Sequence, residues 1–393
     1  VDAHLQRLTD QVRSAQASRT PLCIRGSGSK DFYGGTPSGT PLEVGELRGI
    51  CSYEPTEMVV TARAGTPLVE LEQALAEHGQ YLAFEPPRYG GGGTVGGMVA
   101  AGLAGPARAA AGAVRDFVLG LSMIDGRGEV LQFGGQVMKN VAGYDVSRVL
   151  AGSLGVLGVI AEVSLKVPPV AAARQTLAMS MDQRAAIDCV QQWTAAALPV
   201  RASAWQGGTL HLRLEGAQAA VQSSAQRLLK SHAATVLEPG AASAFWSALR
   251  DQTNAFFSAP PQRMRTGTGG DETARESLTA GEEIAAGEGL RAGEGLTLWR
   301  LSVPPAHPPL PTEGDTLVEW GGALRWTYSD APARCMREMA ARAGGHATAF
   351  RGAVDRTEVF DALSPPLERI HRNLKAAFDP AGIFNPGRLY PWL

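Results

Sequence analysis

A net charge of only -2 over 393 residues leaves no excess of either sign, and no run of lysine and arginine creates one locally. Nucleic acid and anionic membranes are therefore poor candidates for the primary partner. Cysteine is scarce too: Cys23, Cys51, Cys189 and Cys335 stand far apart, without the C-x-x-C pairs that hold zinc or iron–sulfur clusters. No disulfide framework or metal site is expected, and the thiols are read as buried and reduced. No apolar run approaches the ~20 residues of a membrane span, and Val1 to Thr20 is polar and helical in pattern, unlike a signal peptide. The chain is expected to be cytoplasmic. What it does have is 44% hydrophobic residues and 47 glycines, enough for sizeable cores and for many close backbone approaches.

The glycines concentrate in the first 168 residues, among short β-rich runs, and Pro168 and Pro169 close the strand pattern Val156 to Val167. This places a first domain at 1–168. Within it, Met58 to Ala64 reads as a strand, and Thr66 and Pro67 as the N-cap and first residue of a helix over Leu68 to His78, stopped by Gly79. From Val170 onward longer helical patterns (Met181 to Ala197, Ala217 to Ser231) flank a strand at Leu210 to Glu215, which predicts an α+β domain over 169–375. Ala-Gly-Glu recurs at Ala280, Ala286 and Ala292 in a stretch with little apolar material, so a flexible insertion is expected at 266–296 rather than a functional repeat.

Four glycine-rich segments exceed what turns require. Arg25-Gly26-Ser27-Gly28-Ser29-Lys30 follows the strand-like Pro21 to Ile24, and alternating glycines let successive N–H groups form an anion-binding nest that suits a pyrophosphate, although the segment alone equally fits a plain loop. Gly90 to Gly97 leads into the small-residue run Met98 to Gly105, open to close approach. Gly91 to Gly96 satisfies G-x-G-x-x-G, but Pro86 and Pro87 precede it instead of a hydrophobic strand, which argues against a Rossmann fingerprint. Gly112 to Asp116 leads into a strand, Phe117 to Ile124, joined to Glu129–Phe133 by Asp125-Gly126-Arg127-Gly128, a hairpin signal. Lys139 to Asp145 and Leu150 to Ile160 free backbone groups ahead of a buried strand.

In this order the segments resemble the FAD-binding domain of the vanillyl-alcohol oxidase and p-cresol methylhydroxylase family, from about Pro21 to Val167 and again in Asp379 to Arg388. The resemblance implies a two-lobed FAD-binding domain, an α+β cap, and a segment at 376–393 returning to the FAD domain. Lys139 to Asp145, Gly152 to Ile160, Trp320 to Trp326 and Gly344 to Thr348 more narrowly resemble the FAD-binding subunits of bacterial glycolate oxidases. By the family pattern Arg25, Gly26, Ser27, Gly28, Ser29 and Lys30 wrap the pyrophosphate, with the Arg25 and Lys30 charges offsetting it. Gly92, Thr94, Val95, Gly96 and Gly97 lie against the pyrophosphate and flavin side. Gly112, Val114 and Asp116 follow the ribityl and ribose portions, Gly158, Val159 and Ile160 meet the adenine, and Asn385 lies near the isoalloxazine ring. The histidine and cysteine that attach FAD covalently in many relatives are missing from the first two segments, so FAD is expected to be non-covalent. Gly102 stands where the similar catalytic flavin subunit often has asparagine.

Oxidising a 2-hydroxy acid calls for a cation to hold the carboxylate and a base for the hydroxyl proton. Arg325, His346 and Arg351 are the candidates. The Gly-Asp-Gly-Asn-x-His type of metal-binding motif of related D-lactate and glycolate dehydrogenases is missing, and His211 alternates with apolar residues as a strand residue does. The resemblance therefore implies a subunit that supports flavin electron transfer or assembly, beside a catalytic flavoprotein subunit and an iron–sulfur subunit, with any inner-membrane docking made through those partners. A stand-alone FAD-linked 2-hydroxy acid or alcohol dehydrogenase and a non-catalytic scaffold are the alternatives.

Overall fold

The computed structural model describes residues 2–90, 92–135, 145–258, 296–352 and 356–393. Gly91, Lys139 to Tyr144 and all of the expected insertion except Leu296 lie outside the described residues. Alternation of buried and exposed residues builds two antiparallel sheets. The first holds β3 (Ile50–Glu54), β4 (Val59–Arg63), β5 (Val118–Ile124), β6 (Val130–Gly134) and β7 (Val159–Lys166) in the order β3-β4-β7-β5-β6, beside a parallel pair, β1 (Leu22–Arg25) and β2 (Thr40–Glu43). The second sheet takes β8 (Ala173–Ser180), β9 (Val200–Gln206), β10 (Thr209–Gly216), β11 (Ala234–Val236), β12 (Thr297–Ser302), β13 (Thr316–Glu319), β14 (Leu324–Ser329) and β15 (His346–Gly352). Its order is β11-β8-β10-β9-β13-β14-β12-β15. The glycine-rich segments thus fall before and between the strands of the sheet that ends at Lys166, and the second sheet begins beyond Pro168 and Pro169.

Helices fill the remaining faces. In the first lobe α1 (Ala3–Ser18) packs Leu8 and Val12 over β1 and β2, α2 (Leu68–Glu77) and α3 (Val95–Ala101) lie near the central sheet, and α4 (Arg108–Ala111) reaches β9 of the second sheet. Leu68, Leu71 and Leu75 of α2, fully buried at helical spacing, enter the core with Val60, Val99 and Leu165. In the second lobe α5 (Gln183–Ala195), α6 (Gln218–Ser231) and α9 (Ala333–Arg342) cover one face of the sheet, α9 against Trp299, Leu301 and Ala347. Two further helices, α7 (Pro239–Arg250) and α8 (Ala255–Ser258), join the opposite face, where Trp326 and Phe350 pack with Tyr33 and Leu154 of the first lobe in one continuous core. The lobes are also tied by Arg213 of β10, whose buried guanidinium donates to Glu85 over 2.6 Å.

The last helix, α10 (Pro365–Phe378), returns to the first lobe, where Leu374 and Phe378 pack on its core, so that return begins upstream of residue 376. The buried Asp379 carboxylate then accepts from the N–H groups of Ile383 (3.1 Å) and Phe384 (2.8 Å) and pairs with Lys375 Nζ at 2.8 Å. Lys375 Nζ also donates to the Val156 and Phe384 carbonyls. The tail is thereby fastened beside β1, where Leu22 bridges Phe384.

Two local expectations are corrected. Thr66 does not cap α2: its hydroxyl bonds both backbone groups of Gly49, and Pro67 occupies the cap position. The β5–β6 turn is not an Asp-Gly turn with two positive φ angles; the Asp125 carboxylate accepts from the N–H groups of Arg127 and Glu129, and Gly128 alone takes a positive φ of 72°.

Candidate functional site

Several glycine segments, far apart in sequence, meet around one open cleft. Residues 23–31, just after β1, form one wall; Thr94, Gly96, Gly97, Ala100 and Ala101 on α3 form the next; Leu154, Gly155, Gly158 and Ile160 lead into β7; and Asn385 and Arg388 close it from the tail. Close approach explains the composition. A Cβ added to Gly26 would stand 2.5 Å from Thr94 Oγ1, whose oxygen caps α3 by accepting from the Gly97 N–H. Gly102 ends α3 in the left-handed region, φ 63°, a conformation that glycine and asparagine share, so the departure at this position keeps the backbone geometry.

The cations of the first loop differ. Arg25 is paired with Asp31 at 3.1 Å. Lys30 is largely buried; among the described residues its amine meets Ser29 Oγ at 3.5 Å and the Tyr89 ring 5.7 Å away, and burial, opposed by the charge of Asp251, pushes it down to about 8. A buried amine without a carboxylate partner in a cleft wall suits an anionic group such as a pyrophosphate. Asn385, at φ 41°, braces the cleft: its Oδ1 accepts from the Ile24 N–H and its Nδ2 donates to the Leu154 carbonyl, each over 2.7 Å. Leu154, a residue far less suited than asparagine to the left-handed region, also holds a positive φ, 50°, at the cleft.

The cleft gathers Arg25, Gly26, Ser27, Gly28, Ser29, Lys30, Thr94, Gly96, Gly97, Gly158, Ile160 and Asn385 from the sequence expectation. Gly92 stands behind them, its carbonyl accepting from Ser27 Oγ. Val95, Val114 and Val159 are buried in the hydrophobic cores, and Gly112 and Asp116 form a local turn in which the Asp116 carboxylate accepts from the Ala113 N–H. Cys23, Leu154, Gly155 and Arg388 line the cleft without having been picked from sequence. The guanidinium of Arg388 donates to the carbonyls of Tyr33 and Gly35, holding the first loop's continuation; the spacing Asn385-x-x-Arg388 carried the signal, but only the Asn was read.

The three cap candidates separate. Arg325 of β14 alternates with Leu324 and Trp326, which face the first lobe, so its side chain enters the opposite face, where it donates to the carbonyls of Gly322, His307 and Pro308. Burial lowers it to about 10, and its role there is to tie loops. His346 is exposed at the start of β15. Arg351 faces the first lobe, its guanidinium 4.6 Å from the Phe32 ring and 5.8 Å from that of Tyr89. Beside it lies a small chamber between the lobes, lined by Tyr89, Gln252, Arg300 and Glu319 among others.

Glu319 is fully buried, accepts from Trp326 Nε1 at 2.8 Å, and is pushed up to about 7 by burial. Because its folded value lies above the ordinary 4.5, folding binds a proton in this range, and Glu319 costs stability as pH rises from about 4.5 through 7. Urea midpoints of Glu319→Gln are expected to fall less steeply over that window than those of the parent; parallel slopes would place the titration elsewhere.

Residues 3–134 match the FAD binding domain family and residues 331–389 the C-terminal domain of FAD linked oxidases. The chain is 42% identical to the glycolate oxidase subunit GlcE of Escherichia coli (strain K12), over 98% of this chain and 97% of that one. It is 29% identical to the glycolate oxidase subunit GlcD of Bacillus subtilis (strain 168), over 40% of this chain and 34% of that one. In fold it is similar to p-cresol methylhydroxylase in a crystal structure with substrate bound, at 12% identity and a TM-score of 0.66, covering 98% of this chain and 87% of that one.

Proposed function

The chain belongs to the GlcE family of glycolate oxidase subunits, and from that premise we propose how its own residues serve the flavin. It is an FAD-dependent oxidoreductase subunit, one part of a multi-subunit enzyme that oxidises glycolate. FAD, held without a covalent bond, occupies the cleft between residues 23–31, α3, the segment before β7 and the tail. Bound there it supplies a two-electron acceptor that can pass electrons onward. The observation that carries this reading is the largely buried Lys30 amine, hydrogen-bonded to no described carboxylate, in the wall of a cleft that the first glycine loop lines.

In this arrangement Lys30 and the N–H groups of Gly26 to Ser29 offset the pyrophosphate charge. Thr94 fixes the start of α3 against the first loop, and Asn385 holds the Ile24 and Leu154 backbones at a set distance. The aromatic face of the second sheet covers the flavin end and excludes water. The chain works beside a catalytic flavoprotein subunit and an iron–sulfur subunit. No described helix is long and apolar enough to cross a membrane, and contact with the inner membrane is made through those partners.

The test is the anaerobic absorbance spectrum of the full chain with FAD, before and after glycolate or D-lactate and then with partner subunits. Flavin that stays oxidised until the partners are added supports the electron-transfer reading. Bleaching by substrate with the chain alone makes it an independent dehydrogenase, and failure to retain FAD after reconstitution removes the reading.

A further inference from the structure

Of the arginines at the chamber between the lobes, Arg250 pairs with Asp251, whereas Arg351 and Arg300 form no ion pair with a described carboxylate. β12 and β15 pair regularly except at one point: Leu298 faces Arg351 while Trp299 faces Ala349, so Phe350 is an extra residue in the ladder. Such a bulge re-aims side chains, and here both Phe350 and Arg351 turn toward the first lobe instead of opposite faces. Arg351 Nη2 donates to Gln252 Oε1 at 3.0 Å, whereas Nη1 is buried with no hydrogen-bond partner among the described residues. Arg300 of β12 lines the chamber that Arg351 flanks through Gln252 and Tyr89; its guanidinium lies 5.2 Å from the Trp320 ring. Tyr89 closes the side nearest the FAD cleft, held at φ 49° with the Lys30 amine over its ring.

Two guanidinium groups, one lining the chamber and one at its edge with an orphaned buried N–H, beside a phenol and an amide, match the demand of a carboxylate. We propose that Arg351 and Arg300, with Gln252 and Tyr89, form a receptor for the carboxylate of a small organic acid next to the flavin cleft. Resting on the assignment of FAD to that cleft, this gives the chain a ligand site of its own, independent of the metal-binding motif it lacks. The one carboxyl lining the chamber, Glu319, is pushed up to about 7 by burial, which reduces its repulsion of an incoming anion.

The experiment is calorimetric titration of the full FAD-loaded chain with oxalate, which undergoes no hydride transfer, so binding is read apart from turnover. Saturable binding of the parent is expected, weakened roughly tenfold or more in Arg351→Gln and in Arg300→Gln, retained in part by Arg351→Lys, and unchanged in Arg342→Gln on the exposed face of α9. FAD titrated into the flavin-free forms should bind the parent and both glutamine variants alike. Absence of oxalate binding in a chain that holds FAD normally overturns the receptor while leaving the flavin assignment intact. So does oxalate binding that survives both substitutions, or a loss of FAD affinity in Arg351→Gln without loss of oxalate. A chain that takes up no FAD overturns the flavin assignment instead. Should Arg351→Gln fail to fold, Arg300→Gln and Gln252→Ala decide the matter, since neither changes a residue of the bulged segment.

Discussion

A Gly26→Ala chain is expected to bind FAD about tenfold to a hundredfold more weakly than the parent, since overfilling a tight contact costs ~1–3 kcal/mol. The new methyl would sit 2.5 Å from Thr94 Oγ1 and 3.3 Å from its Cγ2, so the first glycine loop and the start of α3 must separate. Both are walls of the cleft. The offending atoms belong to one side chain, and the Thr94 Cβ itself would lie at an ordinary 3.4 Å. Adding Thr94→Ala to Gly26→Ala should therefore recover much of the affinity, less the helix cap that Thr94 supplies. Fluorescence titration of flavin-free protein measures both. A double variant no better than Gly26→Ala would mean that the clash lies elsewhere.

The largest effect on stability is expected from Asp379→Ala. Its carboxylate is buried, satisfies two backbone N–H groups of the tail and neutralises Lys375, whose amine is held below its ordinary value by burial. Removing it leaves a buried ammonium and two unsatisfied donors, a loss of ~3–5 kcal/mol. Asp379→Asn keeps an oxygen for one N–H but not the charge, and should fall between. The flavin should report the same event, because Asn385 and Arg388 follow directly. Urea unfolding with and without FAD checks this, and a loss below ~1 kcal/mol in Asp379→Ala would show that the tail is held by packing instead.

These residues also mark where sequence reasoning succeeded and where it stopped. The glycine loop after β1, the α2 stripe Leu68-Leu71-Leu75 and the β5–β6 hairpin were legible because each is a local pattern with a short-range physical cause. The family-level resemblance located most of the first-loop wall and some residues of each of the others. Lys375 and Asp379, by contrast, stand four apart on a helix end, a spacing that on its own suggests a solvated pair; only the fold buries them. Arg325 and Arg351 looked alike in sequence, two arginines near aromatic residues. Strand alternation turned the first away from the FAD lobe and a single inserted residue turned the second toward it, and neither sheet pairing nor a bulge can be read from one strand. Thr66 was misassigned because its hydroxyl had a tertiary partner in Gly49.

The bracket made by Asn385 joins the Ile24 N–H to a side chain 361 positions away. On the ribosome, the glycine loop, α3 and the whole first sheet emerge well before the residue that sets the spacing of the cleft. The nascent first lobe can collapse around its core, yet it lacks a wall and the Asp379 clasp until the cap has been synthesised. Cofactor loading is thus a late event in the life of the chain, and truncated translation products would carry an unfinished cleft unable to sequester flavin.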